Sequence, residues 1–254
     1  MGRLSFSRIV LESTTSTNDV ARDLAMRGAP EGTVVVADYQ TAGRGRMGRR
    51  WLAPPGTSLL CSLLFRPGPG PEGRSPATDL TALCALAAAD AVEETAALPV
   101  ALKWPNDLIV VRGVSWRKLG GLLAEGGALG DRLEYVVVGI GINVNVPPAV
   151  LPELSPDATS ILAETGRELD RDVLLERLLD RVGDRYTRWR AGERPWAEWR
   201  IRLATLGQPV RVVTPEGDWR GVAEGVDEEG TLLLRTPDGD LRRIRVGDVL
   251  RAHG

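Results

Sequence analysis

Residues 101–125 read ALKWPNDLIVVRGVSWRKLGGLLAE, and the way this stretch folds decides the rest. Two apolar runs, Ala101 to Val111 and Leu119 to Glu125, predict neighbouring strands of one sheet. Pro105 cannot donate to a sheet ladder, so it interrupts the first run and aims its neighbours out of the sheet. Lys103, Asn106 and Asp107 then place an ammonium, an amide and a carboxylate around one rigid bend. That set suits a phosphate chain with a magnesium ion, and equally a salt-bridged turn. Lys118-Leu119-Gly120-Gly121 opens the second run; adjacent glycines weaken a strand unless a ligand or another backbone comes close.

Outward from this centre, Leu133 to Ile142 predicts a further strand ending in Gly139-Ile140-Gly141-Ile142-Asn143, a second glycine pair, so a flat ligand is expected to lie on the sheet. That GxG has no third glycine and no helix after it, which excludes a dinucleotide fingerprint. Upstream, Thr33 to Ala37 and Ser58 to Phe65 read as strands. Residues 12–28 read as a capped amphipathic helix with Gly28 as its stop, and a Pro/Gly-rich turn leads into an Ala- and Leu-rich helix over roughly Ala77 to Ala97. Downstream, Leu174, Leu178, Val182, Tyr186 and Trp189 recur at helical spacing between Asp170 and Trp189. A short helix with Trp196, Trp199 and Leu203 follows, its indoles read as core. After Gly207 the texture turns to short runs broken by TPEGD, DEEG and TPDGD, which predicts a small barrel of about five strands. The expected domains are therefore 1–206 and 207–254.

The chain has 254 residues and a formal net charge of -2, which gives no general attraction to nucleic acid or an anionic membrane. No stretch approaches the roughly 20 apolar residues a membrane span needs, and no leader is apparent, so a cytoplasmic protein is expected. Cys61 and Cys84 sit in apolar runs and read as small hydrophobes. The single histidine, His253, stands next to the end, which argues against Ser-His or Cys-His catalysis and the usual zinc sites. Of 32 basic residues only Lys103 and Lys118 are lysines. Codon bias toward arginine accounts for that number. Both lysines nevertheless fall in candidate motifs, where a compact ammonium serves and a planar guanidinium does not.

The segment Gln40-Thr-Ala-Gly-Arg-Gly-Arg-Met-Gly-Arg-Arg-Trp51 holds four arginines and three glycines in twelve residues with no acidic side chain. Such a loop suits an anion with several oxygens; alone, it reads better as a nucleic-acid patch with Trp51 stacking on bases.

In this order and at these separations the motifs resemble the biotin-protein ligase family, over roughly residues 10–254. The resemblance is to the monofunctional type, without an N-terminal winged-helix DNA-binding domain. It implies an α+β catalytic domain related to class II aminoacyl-tRNA synthetases, a mixed sheet flanked by helices, and an SH3-like C-terminal barrel. Ser16, Thr17 and Asn18 match the family's biotin-contacting STN, and Gln40 the glutamine beside the bicyclic ring. Gly43, Arg44, Gly45 and Arg46 match the loop that closes over biotin and the adenylate, with Trp51 at its end. Lys118 matches the lysine that reaches the carboxylate and phosphoryl group; with Arg46 it is the implied catalytic pair. Gly121, Gly139 and Ile142 match cleft-lining positions. Lys103, Asn106, Asp107 and Asn143 fall on the ATP and phosphate side, Asp107 being the carboxylate nearest a magnesium ion. The hairpin between Asp107 and Lys118, with Trp116, departs from the family's pattern.

The resemblance implies formation of biotinyl-5'-AMP from biotin and ATP, then transfer to a lysine of a biotin carboxyl carrier protein. Neither nucleic acid nor membrane is an expected partner, and a homodimer stays open. Arg49 and Arg50 have no assigned role. The rival readings are a lipoate ligase or octanoyl transferase on a related scaffold, and a nucleic-acid-binding protein using Arg44 to Arg50.

Overall fold

The computed structural model describes residues 3–68, 76–113, 115–129 and 132–251. The first unit runs β1 (Ser7–Thr14), α1 (Thr17–Met26), β2 (Thr33–Gln40), β3 (Ser58–Phe65), α2 (Pro76–Ala96), β4 (Ala101–Lys103), β5 (Asp107–Arg112), β6 (Ser115–Leu129) and β7 (Arg132–Asn143). Helices α3 (Leu151–Leu154), α4 (Ile161–Thr165), α5 (Arg171–Arg190) and α6 (Trp196–Arg202) follow. The chain ends in β8 (Pro209–Thr214), β9 (Gly217–Val226), β10 (Leu232–Arg235), β11 (Leu241–Ile244) and β12 (Asp248–Arg251).

The large sheet has the order β1-β2-β3-β7-β6-β5-β4. Strands β1 and β2 are parallel and every other pair is antiparallel. Its two faces are covered differently. Leu59, Cys61, Leu63 and Phe65 of β3 and Val136, Val138, Ile140 and Ile142 of β7 join one buried cluster with α2 and α5. Leu64 and Val137 face the opposite way and join α1 through Ala21 and Ala25. With both faces covered, β3 reads as an unbroken apolar run rather than an alternating one. Cys61 and Cys84 are buried, unpaired thiols, and burial pushes the Cys61 pKa up to about 12.

The expected helix over 12–28 is corrected: residues 12–14 end the edge strand β1, and the helix starts at Thr17. An edge strand covered lightly on both faces keeps charged and polar residues, so SRIVLEST lacks a clear strand pattern. Ser16 occupies the N-cap position without making a side-chain capping bond. The Pro/Gly-rich turn falls mainly at 69–75, outside the described residues. The strand through Lys118 is longer at both ends than its apolar run.

The second sheet has the order β11-β10-β9-β8-β12, all antiparallel, as the turn spacing predicted. Its end strands do not pair with each other among the described residues, so the expected closed barrel is seen as an open five-stranded sheet. It docks on the β4 edge. Lys103 Nζ donates to Val249 O at 3.2 Å, and Trp104 Nε1 donates to Gly230 O at 2.8 Å; the segment leading into the sheet adds a bond from Ala204 N to Leu102 O at 3.0 Å.

The tryptophans after α5 are core, as read. Trp189 and Trp196 donate their indole N–H groups to the two oxygens of buried Asp79, at 2.9 and 2.8 Å, tying α2 to α5 and α6. Removing that acceptor strands two buried donors. Asp79→Ala is expected to lower unfolding free energy by about 2–4 kcal/mol in urea; a loss below about 0.5 kcal/mol would show the staple to be unimportant.

Candidate active site

A cleft of about 340 Å³ opens on the α1 side of the large sheet, reached from β2, β5, β6, β7 and the loop after β2. Its centre is set by a β-bulge. Leu108 pairs with Gly120 but Ile109 pairs with Lys118, so Leu119 is an extra residue in β6. The bulge resets the side-chain alternation. Leu119 drops fully into the core, while Lys118 and Gly121, three apart, both face Asp107. Asp157 O and Thr159 N bond the Lys118 backbone from the far side, at 2.6 and 2.8 Å.

The bend at Pro105 supplies the other half. Lys103 and Asp107 are register partners across the β4–β5 hairpin. Lys103 Nζ lies 3.0 Å from Asp107 Oδ2, and Lys118 Nζ lies 2.7 Å from Asp107 Oδ1. The two lysines of the whole chain thus meet on one carboxylate. Burial alone would raise the Asp107 pKa, but the paired ammonium groups outweigh it and hold the carboxyl below its ordinary value. Asp107 is therefore an ionised anchor and a poor proton acceptor. Trp104, also buried, fixes the bend by donating its backbone N–H to Thr205 Oγ1 at 3.1 Å as well as its indole N–H to Gly230. Asn106 donates its amide to Leu122 O.

The arginine-glycine loop is a small hairpin. Trp51 N donates to Gly43 O at 2.9 Å, Gly45 N donates to Arg49 O at 2.7 Å, and the tip turns through Met47 and Gly48, both at positive φ. Its four arginines have separate fates. Arg44 bonds Asp19 of α1 and Glu125 of β6, and Arg49 bonds Asp248 of β12. Arg50 donates to Thr41 O at 3.3 Å. Among the described residues Arg46 makes two long contacts, 3.4 Å to Asn106 Oδ1 and 3.5 Å to Gly247 O. Burial pushes its pKa below the ordinary arginine value, only partly offset by Asp248 and Asp107. Arg44 and Arg49 thus bond carboxylates of the chain itself, unlike an open nucleic-acid patch.

The glycines of β7 make room for side chains of the protein itself. A Cβ on Gly141 would stand 2.7 Å from the Trp51 ring, and one on Gly139 would stand 2.2 Å from Asn18 Oδ1. The Trp51 ring thereby packs against Gly141 of the sheet, with Lys118 Nζ 5.8 Å from its ring centre and its own Nε1 buried without a partner among the described residues. Beyond it, Thr17 N donates to Gln40 Oε1 at 2.7 Å, so the first helical N–H of α1 orients the glutamine. Ser62 Oγ lies 2.7 Å from Thr17 Oγ1 and 2.6 Å from Asn18 Oδ1. Asn18 Nδ2 donates to Glu125 Oε2 at 2.7 Å.

Most expected site residues therefore converge. Ser16, Thr17, Asn18, Gln40, Arg44, Gly45, Arg46, Trp51, Lys103, Asn106, Asp107, Lys118, Gly121, Gly139 and Asn143 all line the cleft. Ile142 is a correction: strand alternation turns its side chain away from the cleft, fully buried against the α2 layer. Gly43 sits beneath the loop, where a Cβ would stand 2.6 Å from Trp51 O. Asn143 donates to Thr159 O at 2.9 Å and accepts from Ser58, so its side chain braces the wall. Asp107 is the carboxylate expected beside a magnesium ion. Asp107 has both oxygens on ammonium groups, and no cluster of three carboxylate, His or Cys groups stands among the described residues. An ion arriving on nucleotide phosphates would share Asp107 with the two lysines, since each carboxylate oxygen keeps a further lone pair. Trp116, at the hairpin that departs from the pattern, lines the same cleft.

Four residues were missed. Ser62 had a signal, a hydroxyl at the fifth position of the apolar run SLLCSLLF. Asp19, Glu125 and Asp248 had none, because their partners are distant in sequence.

Residues 10–143 match the biotin/lipoate A/B protein ligase family and residues 205–251 the biotin protein ligase C terminal domain. The bifunctional ligase/repressor BirA of Bacillus subtilis is 38% identical over 98% of this chain and 74% of its own length. The biotin--[acetyl-CoA-carboxylase] ligase of Paracoccus denitrificans is 36% identical over 91% of this chain and 95% of its own. A biotin protein ligase from Aquifex aeolicus, solved in complex with biotin and ATP, superposes with a TM-score of 0.76 at 30% identity, over 96% of this chain and 97% of that one. Two matched domains, a cleft centred on Lys118 and Asp107, and likeness along nearly the whole chain place it in the biotin/lipoate A/B protein ligase family.

Proposed function

We infer that the chain is an ATP-dependent ligase that forms biotinyl-5'-AMP from biotin and ATP and passes the biotinyl group to a lysine of an acceptor protein. The observation that carries this is the placing of three cations, Lys103, Lys118 and Arg46, about the buried carboxylate of Asp107, beside a chamber ending at Thr17, Gln40 and Trp51. That is an excess of positive charge in a half-enclosed cleft, with a polar recess for a small acid alongside.

In the first step a carboxylate oxygen of biotin attacks the α-phosphorus of ATP, and the bond to the bridging oxygen of pyrophosphate breaks. No protein nucleophile takes part. The barrier is mainly electrostatic, lowered by donors set in advance where negative charge gathers. Lys118 stands between the recess and Asp107, placed for the carboxylate and the α-phosphoryl oxygens together. Arg46 and Lys103 are placed for the leaving phosphates. Asp107 keeps both ammonium groups charged and aimed. In the second step the acceptor amine attacks the acyl carbon, the carbon–oxygen bond to AMP breaks, and the amine proton leaves with solvent or the AMP phosphate. The loop from Gly43 to Trp51 acts as the lid that keeps water from the mixed anhydride.

The finer proposals follow from the resemblance and the family match. The acceptor is a biotin carboxyl carrier domain, and the chain works in the cytoplasm. The catalytic domain, residues 1–206, is of the class II synthetase-like kind. Residues 207–254 form an SH3-like module docked on the β4 edge, and a homodimer is compatible with the exposed edge of β1.

The direct test incubates the chain with ATP, magnesium and either biotin or lipoate and measures the acid-labile acyl-adenylate. Adenylate is expected with biotin. Formation with lipoate only, or with neither acid, contradicts the proposal. In the same assay Lys118→Arg is expected to lose at least about a hundredfold in adenylation, because a planar fork cannot take the compact ammonium's place between Asp107 and the substrate; wild-type rates in that variant would remove Lys118 from the mechanism.

A second prediction concerns the floor. Gly141→Ala pushes a methyl into the Trp51 ring and is expected to weaken biotin binding roughly tenfold by calorimetry, the usual scale of overpacking. Gly225→Ala, whose nearest contact would be 3.8 Å, is the control. Equal affinities in both variants would show that Trp51 need not lie on β7.

A further inference from the structure

We propose that Asp248, on the C-terminal sheet, is a positioning residue for adenylation: it ties the arginine-glycine loop to Lys103 and so couples closure of the lid to the phosphate side of the cleft. This rests on the ligase function inferred above.

Five groups of alternating charge run in one line from the lid to the catalytic lysine. Arg49 on the loop bonds Asp248 Oδ2, and Asp248 Oδ1 lies 4.0 Å from Lys103 Nζ. Lys103 Nζ reaches Asp107 Oδ2 at 3.0 Å, and Asp107 Oδ1 reaches Lys118 Nζ at 2.7 Å. The line crosses from the loop to the C-terminal sheet and back to the large sheet. Lys103 is also held by Val249 O, one residue beyond Asp248, at 3.2 Å. The side chains of Asp248, Lys103 and Asp107 are 13, 11 and 5% exposed, whereas that of Arg49 is 54% exposed. The Lys103–Asp107 link is thus shielded from salt, and the Arg49–Asp248 link, half exposed on its arginine side, is the one most open to screening.

The backbone is built to bring this carboxylate in. Gly247 precedes it, and a Cβ there would stand 2.9 Å from Val213 O, so only glycine lets β12 enter its pairing with β8 at this point. The Gly247 carbonyl is the longer of the two contacts of Arg46. Asp248 lines the cleft itself, whereas an ion pair serving only to dock two sheets would need no such place. It also supplies the chief attraction that opposes the desolvation of Arg46. Without it, Arg46, Arg49 and Lys103 would face one another with Asp107 as their nearest counter-charge, and the exposed loop is the element free to move away.

The experiment uses the whole chain with Asp248→Asn and Asp248→Glu. It measures KM for ATP and kcat in adenylation, the rate at which preformed biotinyl-adenylate escapes after a chase, and the melting temperature. Asp248→Asn is expected to raise KM for ATP and the escape rate roughly tenfold each, the scale of one charge-assisted bond, with kcat changed less. Asp248→Glu is expected to recover most of both. The double variant Arg49→Asp with Asp248→Arg is expected to slow escape again while KM for ATP stays high, since the reversed pair rebuilds the latch but repels Lys103. Wild-type escape and KM in Asp248→Asn would overturn the proposal, as would a fall in activity that only tracks melting temperature and is equal in the Asn and Glu variants. If the wild-type chain makes no biotinyl-adenylate, the ligase function itself fails and this role with it; an active wild type with an unchanged Asn variant overturns the role of Asp248 alone.

Discussion

A carboxylate as buried as Asp107 is costly to keep ionised unless cations answer it at close range, and in this protein the answer comes from two strands at once. Everything that shapes the cleft can be read as a means of delivering Lys103 and Lys118 to the two oxygens of that group. The proline bend turns β4 back on β5 so that Lys103 and Asp107 face each other across the hairpin. The bulge at Leu119 resets β6 so that Lys118 and Gly121 share a face. Docking of the C-terminal sheet buries Trp104 and holds the bend still. Remove the carboxylate and two ammonium groups lose the anion that orients them, in the part of the cleft that has to receive phosphate.

Pairing rather than exposure also explains the arginine loop. A run of four arginines looks like a surface for nucleic acid, yet two of them bond carboxylates of the chain itself, one on each side of the loop. This leaves Arg46, partly buried and weakly bonded, as the guanidinium best placed for an incoming anion. The glycines beneath it have a related logic. Gly141 admits the Trp51 ring and Gly139 admits the Asn18 amide, so the surface that glycines in β7 suggested for a ligand is covered by the protein's own side chains.

Much of the fold was legible because it rests on local patterns. The strand Ser58–Phe65, the helix ending near Ala96 and the amphipathic repeat of α5 fall where apolar periodicity puts them. β1 was not legible: an edge strand with light cover has no core face to write into its sequence. In the site, the lysines, Asp107 and the glycines were found because unusual residue types stand at turns and in strands where they otherwise cost stability. Ile142 was misplaced because likeness to a motif says nothing of strand alternation, which sends odd and even positions of β7 to opposite faces. Asp19, Glu125 and Asp248 could not be found at all, since their meaning lies in partners up to 199 residues away.

With only two lysines in the chain, the central claim is open to direct observation. Protein labelled at lysine Cε with carbon-13 gives two signals by NMR, and they report the surroundings of the two ammonium groups separately. If Asp107 holds both, Asp107→Asn must displace both signals while the fold, followed by amide resonances far from the cleft, stays as it was. Displacement of one signal alone, or of neither, would contradict the account.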